Sequence, residues 1–281
     1  MFVTRLVSGI ILLVIAFCGF YIGNPLLTAI LLVISLIGYR ELMKALGVTV
    51  PEKGRRFSVP EGIGYLGITV YYIIIFLFEN QILNGDLFVY LLAVIVFLFL
   101  AEMFSYVFTF PKYQAEQAVA SIFSFMYAPV MLSFIELVRA RPEGKYLVWI
   151  ILISSWGCDT CAYCVGKLIG KKKIFPILSP KKSLEGCIGG VLGATVLGTV
   201  YGWFFMGKNT ENLIAYATMC ALGALASMVG DLAASAIKRN KQIKDYGTLI
   251  PGHGGIMDRF DSVIVTAPMV YFLAYFLLNV S

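Results

Sequence analysis

Nine runs of predominantly apolar residues follow one another along this 281-residue chain, most of them close to the ~20 residues that a helix needs to cross a bilayer. They fall near 4–22, 25–43, 63–79, 87–105, 118–138, 146–168, 187–206, 212–236 and 260–279. In hydrocarbon every backbone amide must be satisfied within its own segment, so runs of this kind fold as helices. The longest polar stretches between them, 44–62, 167–186 and 237–259, leave no room for a soluble domain. The chain is 59% hydrophobic and 14% charged, against roughly 45–50% and about 25% in soluble domains. One aqueous core cannot hide that excess, so lipid is part of the solvent. The expected fold class is all-α: a polytopic transmembrane helical protein of about nine spans. Residues 1–140 form its N-terminal helices, and residues 141–281 form catalytic helices with loops 167–186 and 237–259. The first run has only Arg5 as a basic flank, no small-x-small cleavage site after it and no lipobox around Cys18, and is expected to stay as an uncleaved span.

Charge sets the expected orientation. With the N-terminus inside, 18 of the 22 lysines and arginines face the cytoplasm, and Arg139, Arg141, Lys145 and Lys208 face outward. This asymmetry predicts N-in and C-out. The net charge of +6 and a pI near 8.9 then report basic loops that meet anionic headgroups or phosphate substrates, not nucleic acid. A single histidine, His253, excludes a multi-histidine metal site within one chain. Cys158, Cys161 and Cys164 have the spacing of some zinc and iron–sulfur sites. They lack a fourth ligand and drift around a helix axis, so they read as reduced thiols packed between helices.

Carboxylates at membrane depth are functional candidates, because burying them unpaired is expensive. Asp159 lies in the sixth span, Asp231 near the end of the eighth, and Asp258 at the start of the ninth. With the predicted orientation all three sit toward the cytoplasmic surface. Carboxylates from three helices at one depth suit a hard cation, and Mg2+ favours a few carboxylates completed by phosphate oxygens and water. The competing reading is simple pairing, Asp258 with Arg259 and Asp231 with Lys238. Asp231, Ser235 and Lys238 share a helix face at i, i+4 and i+7, while Asp258, Asp261 and Ser262 cluster at i, i+3 and i+4.

Two basic loops accompany them. In 179–186, Ser179-Pro180-Lys181-Lys182-Ser183-Leu184-Glu185-Gly186, two lysines and two hydroxyls precede a span. Ser183 is a fair N-cap, and the helix start adds amide donors for an anion. Loop 237–259 carries Lys238, Arg239, Lys244 and Asp245, then Pro251-Gly252-His253-Gly254-Gly255. Its glycines permit close backbone approach to a ligand, so the turn reads as a phosphate cradle with His253 as a donor. A flexible loop is the plainer alternative.

The run Ser235, Lys238-Arg239, Lys244-Asp245, Pro251-Gly252-His253-Gly254-Gly255 and Asp258-Arg259-Phe260-Asp261 closely resembles the signature of the phosphatidate cytidylyltransferase (CDP-diacylglycerol synthase) family, with matching spacings. Trp156, Asp159-Thr160, Ala162-Tyr163, Gly166, the 179–186 run and Gly230-Asp231 are similar to that family as well. The likeness covers about 155–262, and residues 1–140 match only in hydropathy. Cys158 and Cys161 stand where other small residues are usual. The resemblance implies conversion of CTP and phosphatidate to CDP-diacylglycerol and pyrophosphate. It places the metal-binding aspartates at Asp231 and Asp258 and the CTP phosphates on the basic and glycine-rich positions.

The chemistry agrees with that implication. A phosphate monoester has a second pKa of about 6 and is largely a dianion at neutral pH, so phosphatidate needs no protein nucleophile or strong base. Charge neutralisation and in-line alignment are what remain to be supplied. The expected roles are Mg2+ at Asp231 and Asp258, with Asp159 orienting metal-bound water or adding a ligand. Lys181, Lys182, Lys238, Arg239 and Lys244 bind the triphosphate and lipid phosphate. Ser183, Ser235, His253, Gly254, Gly255, Arg259 and Asp261 line the substrate site, and a gap between spans admits the acyl chains. The expected surroundings are a lipid bilayer, most simply the bacterial inner membrane given the short chain, with a homodimer as the one protein partnership considered. The rivals are a CTP-dependent lipid kinase, a transporter of an anionic solute, and a CDP-alcohol phosphotransferase, whose Asp-Gly-x2-Ala-Arg motif is missing from the sequence.

Overall fold

The structure, a computed structural model, describes residues 2–48, 58–205, 209–252 and 254–278, with side chains from residue 7 onward. Lys53, Arg55, Arg56, Lys208 and His253, and the side chain of Arg5, lie outside the described residues. Nine helices run through the rest: α1 Phe2–Ile22, α2 Leu26–Ala45, α3 Val59–Glu79, α4 Leu87–Thr109, α5 Ala115–Arg139, α6 Gly144–Ile169, α7 Leu184–Phe205, α8 Thr210–Asn240 and α9 Met257–Leu278. Eight of them are long and apolar enough to cross a membrane, and α1 has a shorter apolar stretch, Val7–Ile22. Each of the nine apolar runs has become a helix, and the chain is a polytopic all-α membrane protein.

The helix ends differ from the apolar runs because caps are polar. The α3 helix starts at Val59, four residues before its run, because Ser58 accepts the Glu61 amide at 3.3 Å and Pro60 suits a first turn. Asp86 caps α4 through the Phe88 amide, and Asn209 caps α8 through that of Glu211. Beyond its apolar run, α8 continues through Lys238 and Arg239. Both are good helix formers whose charges suit a C-terminus. Two helices each contain a π turn. Met126–Val130 in α5 accommodates Pro129, which has no amide to donate, and the Pro129 carbonyl accepts the Tyr72 hydroxyl at 3.1 Å. The other, Ile153–Gly157 in α6, ends one residue before Cys158-Asp159.

Two compact units are distinguished, and each is described by itself. The first comprises Met1–Ser133 and Asp245–Asp258. Its helices are joined by buried hydroxyls: Tyr39 with Ser121 at 2.8 Å, Ser121 to Glu102 at 2.7 Å, and Ser35 with Tyr72 at 2.8 Å. Glu102, in the middle of apolar α4, is fully buried. A Cβ at Gly64 would overlap the Tyr39 ring, so α3 needs glycine there to approach α2.

The second unit comprises Phe134–Lys244 and Arg259–Ser281. Its centre is a ridge of small residues on α7: Gly186, Gly190, Ala194, Gly198 and Gly202, all buried and four apart. Added Cβ atoms at Gly190 and Gly193 would strike Cys158 and Cys161 of α6, and one at Gly198 would strike Cys220 of α8. Cys158 packs with Ala194 and Ala224 in the core. The thiols are thus packing groups where backbones approach closely, as membrane helices do through small residues.

Candidate active site

In the second unit the chain leaves α6 at Gly170 and folds back to start α7. Lys173 and Ser183 pair in an antiparallel bridge, and the Leu184 amide reaches the Lys172 carbonyl at 2.8 Å. Ser183 caps α7 as expected, its Oγ accepting the Gly186 amide at 3.2 Å. From the first turn of α7, Glu185 takes the Lys171 amide at 3.0 Å and the Lys172 amide at 3.3 Å. A side chain at Gly170 would collide with Ser183 Oγ and the Gly166 carbonyl, so the strap can close only on glycine. The Lys173 ammonium is bonded to the Lys181 carbonyl at 3.1 Å.

This strap borders a cleft of about 470 Å³ whose lining includes Asp159, Lys167, Lys173, Lys181, Lys182 and Ser183. That size falls within the ~300–1,000 Å³ usual for ligand pockets. Four ammonium groups, one carboxylate and a helix N-terminus make it a receptor for polyanions. Lys182 Nζ lies 2.5 Å from Asp231 Oδ2 of α8, the two side chains being 20% and 28% exposed. Burial alone would lower the pKa of this lysine. The Asp231 carboxylate outweighs burial, Asp159 adds to its pull, and the ammonium is held above its ordinary pKa of 10.5. The ion pair that the structure gives Asp231 is with Lys182, from a separate element, a partner that the sequence pattern does not single out.

Asp159 lies within electrostatic reach of Asp231, Lys182 and Arg259, and Asp261, in the first turn of α9, within reach of Asp231, Lys238 and Asp159. The Asp261 carboxylate accepts the Ser262 amide at 2.8 Å. Carboxylates from α6, α8 and α9 therefore gather against Lys182, Lys238 and Arg259. Ser235 is half-buried one turn beyond Asp231, whereas Arg239 and Lys244 are exposed. The α8 helix closes with Gln242 in the left-handed region and the Ile243 amide on the Lys238 carbonyl at 3.0 Å.

Asp258 belongs to the first unit. Its Oδ2 accepts the Tyr246 amide at 2.8 Å and the Gly255 amide at 2.9 Å, tying both ends of the glycine-rich turn to the start of α9. Within the turn the Ile250 amide meets the Gly254 carbonyl at 2.9 Å, with Gly252 and Gly254 at positive φ. Glu41 of α2, which no motif had marked, accepts the Ile256 amide at 3.1 Å and the Met257 amide at 2.9 Å. The amides at 255–257, natural donors for a phosphate, are thus already held by carboxylates of the chain.

Among the described residues, no three His, Cys, Asp or Glu side chains converge to hold an ion alone. The hard oxygens around Asp231 still fit Mg2+, which characteristically takes one or two carboxylates and draws its other ligands from phosphate and water.

A family model described as "Cytidylyltransferase family" matches residues 3–277. The chain belongs to the cytidylyltransferase family. Among its curated relatives, the phosphatidate cytidylyltransferase of Bacillus subtilis is 37% identical over 140 residues, 50% of this chain and 51% of that protein. The phosphatidate cytidylyltransferase of Synechocystis is 40% identical over 139 residues, covering 50% of this chain and 46% of that one. That of Rickettsia bellii is 35% identical over 150 residues, covering 52% and 64%. The chain thus spans about half to two thirds of the length of the curated relatives it matches. In this cytidylyltransferase-family chain, the basic cleft and the carboxylates around Asp231 are the features suited to a nucleotide and a phosphate.

Proposed function

We propose that this cytidylyltransferase-family chain is a phosphatidate cytidylyltransferase of a bacterial inner membrane. The observation that carries the reading is the lysine-lined cleft, whose Lys182 is paired with Asp231, set in a chain whose relatives bear that name. A phosphate oxygen of phosphatidate attacks the α-phosphorus of CTP. The new P–O bond forms as the α–β phosphoanhydride bond breaks, giving CDP-diacylglycerol and pyrophosphate.

The residues do little covalent work. The lipid phosphate is largely dianionic above its second pKa of about 6, so it attacks without a general base. Lys167, Lys173, Lys181 and Lys182 attract and align the anions, and Lys182 stays charged because Asp231 faces it. Lys238, Arg239, Lys244 and Arg259 add positive charge for the triphosphate, while Ser183 and Ser235 offer hydroxyls. We assign Asp231 and Asp258 to Mg2+, with Asp159 and Asp261 in support. The ion, when bound, neutralises charge on the phosphates and on the departing pyrophosphate.

Purified protein given labelled CTP, phosphatidate and Mg2+ should transfer label to a lipid-soluble product and release pyrophosphate. Release of CDP with a phosphorylated lipid would establish a kinase. Uptake of an anion into liposomes without turnover would establish a transporter.

A further inference from the structure

We infer that Glu41, on the second helix and 215 and 216 residues from its two partners, is a positioning residue for the proposed cytidylyl-transfer site. The inference rests on the function proposed above. Three features of the first unit carry it. The Glu41 carboxylate is 9% exposed and bridges two successive amides, Ile256 at 3.1 Å and Met257 at 2.9 Å, the second adjoining Asp258. A carboxylate there also faces the positive end of the α9 dipole. The chain is cut to fit it: a Cβ at Gly255 would come within 2.5 Å of both carboxylate oxygens, and one at Gly247 would come closer still. The third feature is that the same α2 face seats the first side chain of α9. A Cβ at Gly38, one turn before Glu41, would come within 3.0 Å of Met257 Sδ.

The two carboxylates divide the turn between them. Asp258 holds the amides of Tyr246 and Gly255, and Glu41 holds the next two, so the backbone from 255 to 258 has one register. Glu41 acts through that register, setting where Asp258 points without touching a substrate. This explains how residues 1–140, which carry none of the family's motif, contribute to the site. Groups that orient a metal ligand typically matter about 10–100-fold in metal affinity or activity.

Glu41→Gln keeps one accepting oxygen but turns an amide NH2 toward a backbone N–H. Two readouts test the inference. In amide hydrogen exchange on substrate-free protein in nanodiscs, residues 254–258 should exchange faster in Glu41→Gln than in the unaltered protein, with α4 unchanged. In steady-state assays, the Mg2+ concentration for half-maximal rate should rise and kcat fall, together by about 10–100-fold in kcat per Mg2+ half-saturation, with Glu41→Asp recovering part of the loss. Should Glu41→Gln fail to accumulate in membranes, Glu41→Asp carries both readouts at smaller amplitude. Unchanged exchange at 254–258 overturns the inference. So does a drop in melting temperature with an unaltered kcat and Mg2+ dependence in the folded protein. If the unaltered protein transfers no cytidylyl group, the proposed function fails, while the exchange readout still reports whether Glu41 sets the turn.

Discussion

Removing the charge of Lys182 should destabilise the protein more than removing the charge of Asp231, although the two form one pair. At 2.5 Å and an effective dielectric of about 20, their gross attraction is about 7 kcal/mol. Desolvation takes back most of it, because the two side chains retain only 20% and 28% of their exposure, and a net coupling of about 1–3 kcal/mol remains. The asymmetry comes from the neighbours. Lys182→Met leaves Asp231 facing Asp159 and Asp261 without its counter-charge, whereas Asp231→Asn leaves Lys182 with Asp159. Cys158 and Cys220 are buried free thiols, so in a background with the other four cysteines replaced by alanine their reaction with a fluorogenic maleimide reports unfolding on heating. Lys182→Met, Asp231→Asn and the double variant then form a cycle. Mg2+ should raise the melting temperature of Lys182→Met more than that of the parent, and should do less for Asp231→Asn, since saturation of a site about 100-fold above its Kd stabilises by about 2.7 kcal/mol. A cycle additive to within about 0.5 kcal/mol, or Asp231→Asn as the more damaging change, would refute this account of the cluster.

The same pair fixes a pH dependence. The folded-state pKa of Lys182 is raised, so its stabilisation is fully present below the ordinary value of 10.5 and lost as pH rises through the higher folded value. The stability gap between parent and Lys182→Met, followed by thermal unfolding, should stay flat from about pH 7 to 9.5 and narrow only above that ordinary value of 10.5. Ser183→Ala removes the cap of α7 and should cost about 1 kcal/mol in denaturation, with a matching fall in CTP affinity by equilibrium binding. Ser121→Ala breaks the link between Tyr39 and Glu102 and should lower stability by about 1–3 kcal/mol while KM for CTP holds, as paired melting and kinetic measurements would show.

What the sequence disclosed is what depends on near neighbours. Apolar runs gave all nine helices, because lipid permits no other backbone solution, and Ser183 was recognisable as a cap from its place before a helix. The two lysines of 179–186 stood out by composition, and both border the cleft. What stayed hidden depends on chain crossings. Lys182 chooses Asp231 from a helix some fifty positions away, and Glu41 is a lone acid near the end of an apolar span with no spacing motif to betray it. Its only local signal is a carboxylate at membrane depth, the same signal that marks Asp159. Neither π turn was foreseen, since an added residue within a helix leaves hydropathy unchanged.

The π turn at Ile153–Gly157 fixes which kinds of mutation this stretch can absorb. A widened turn is a helix carrying a surplus residue, and each residue of an ordinary helix advances the axis by about 100°. Excising one residue between 153 and 157 would let the coil close as an ordinary turn, whose four residues sweep nearly the same arc as the five of the wide turn. Asp159 would then keep its direction toward Lys182 and Asp231. The same deletion in the ordinary coil of 144–152 would turn Asp159 by about 100° and disarm the cleft.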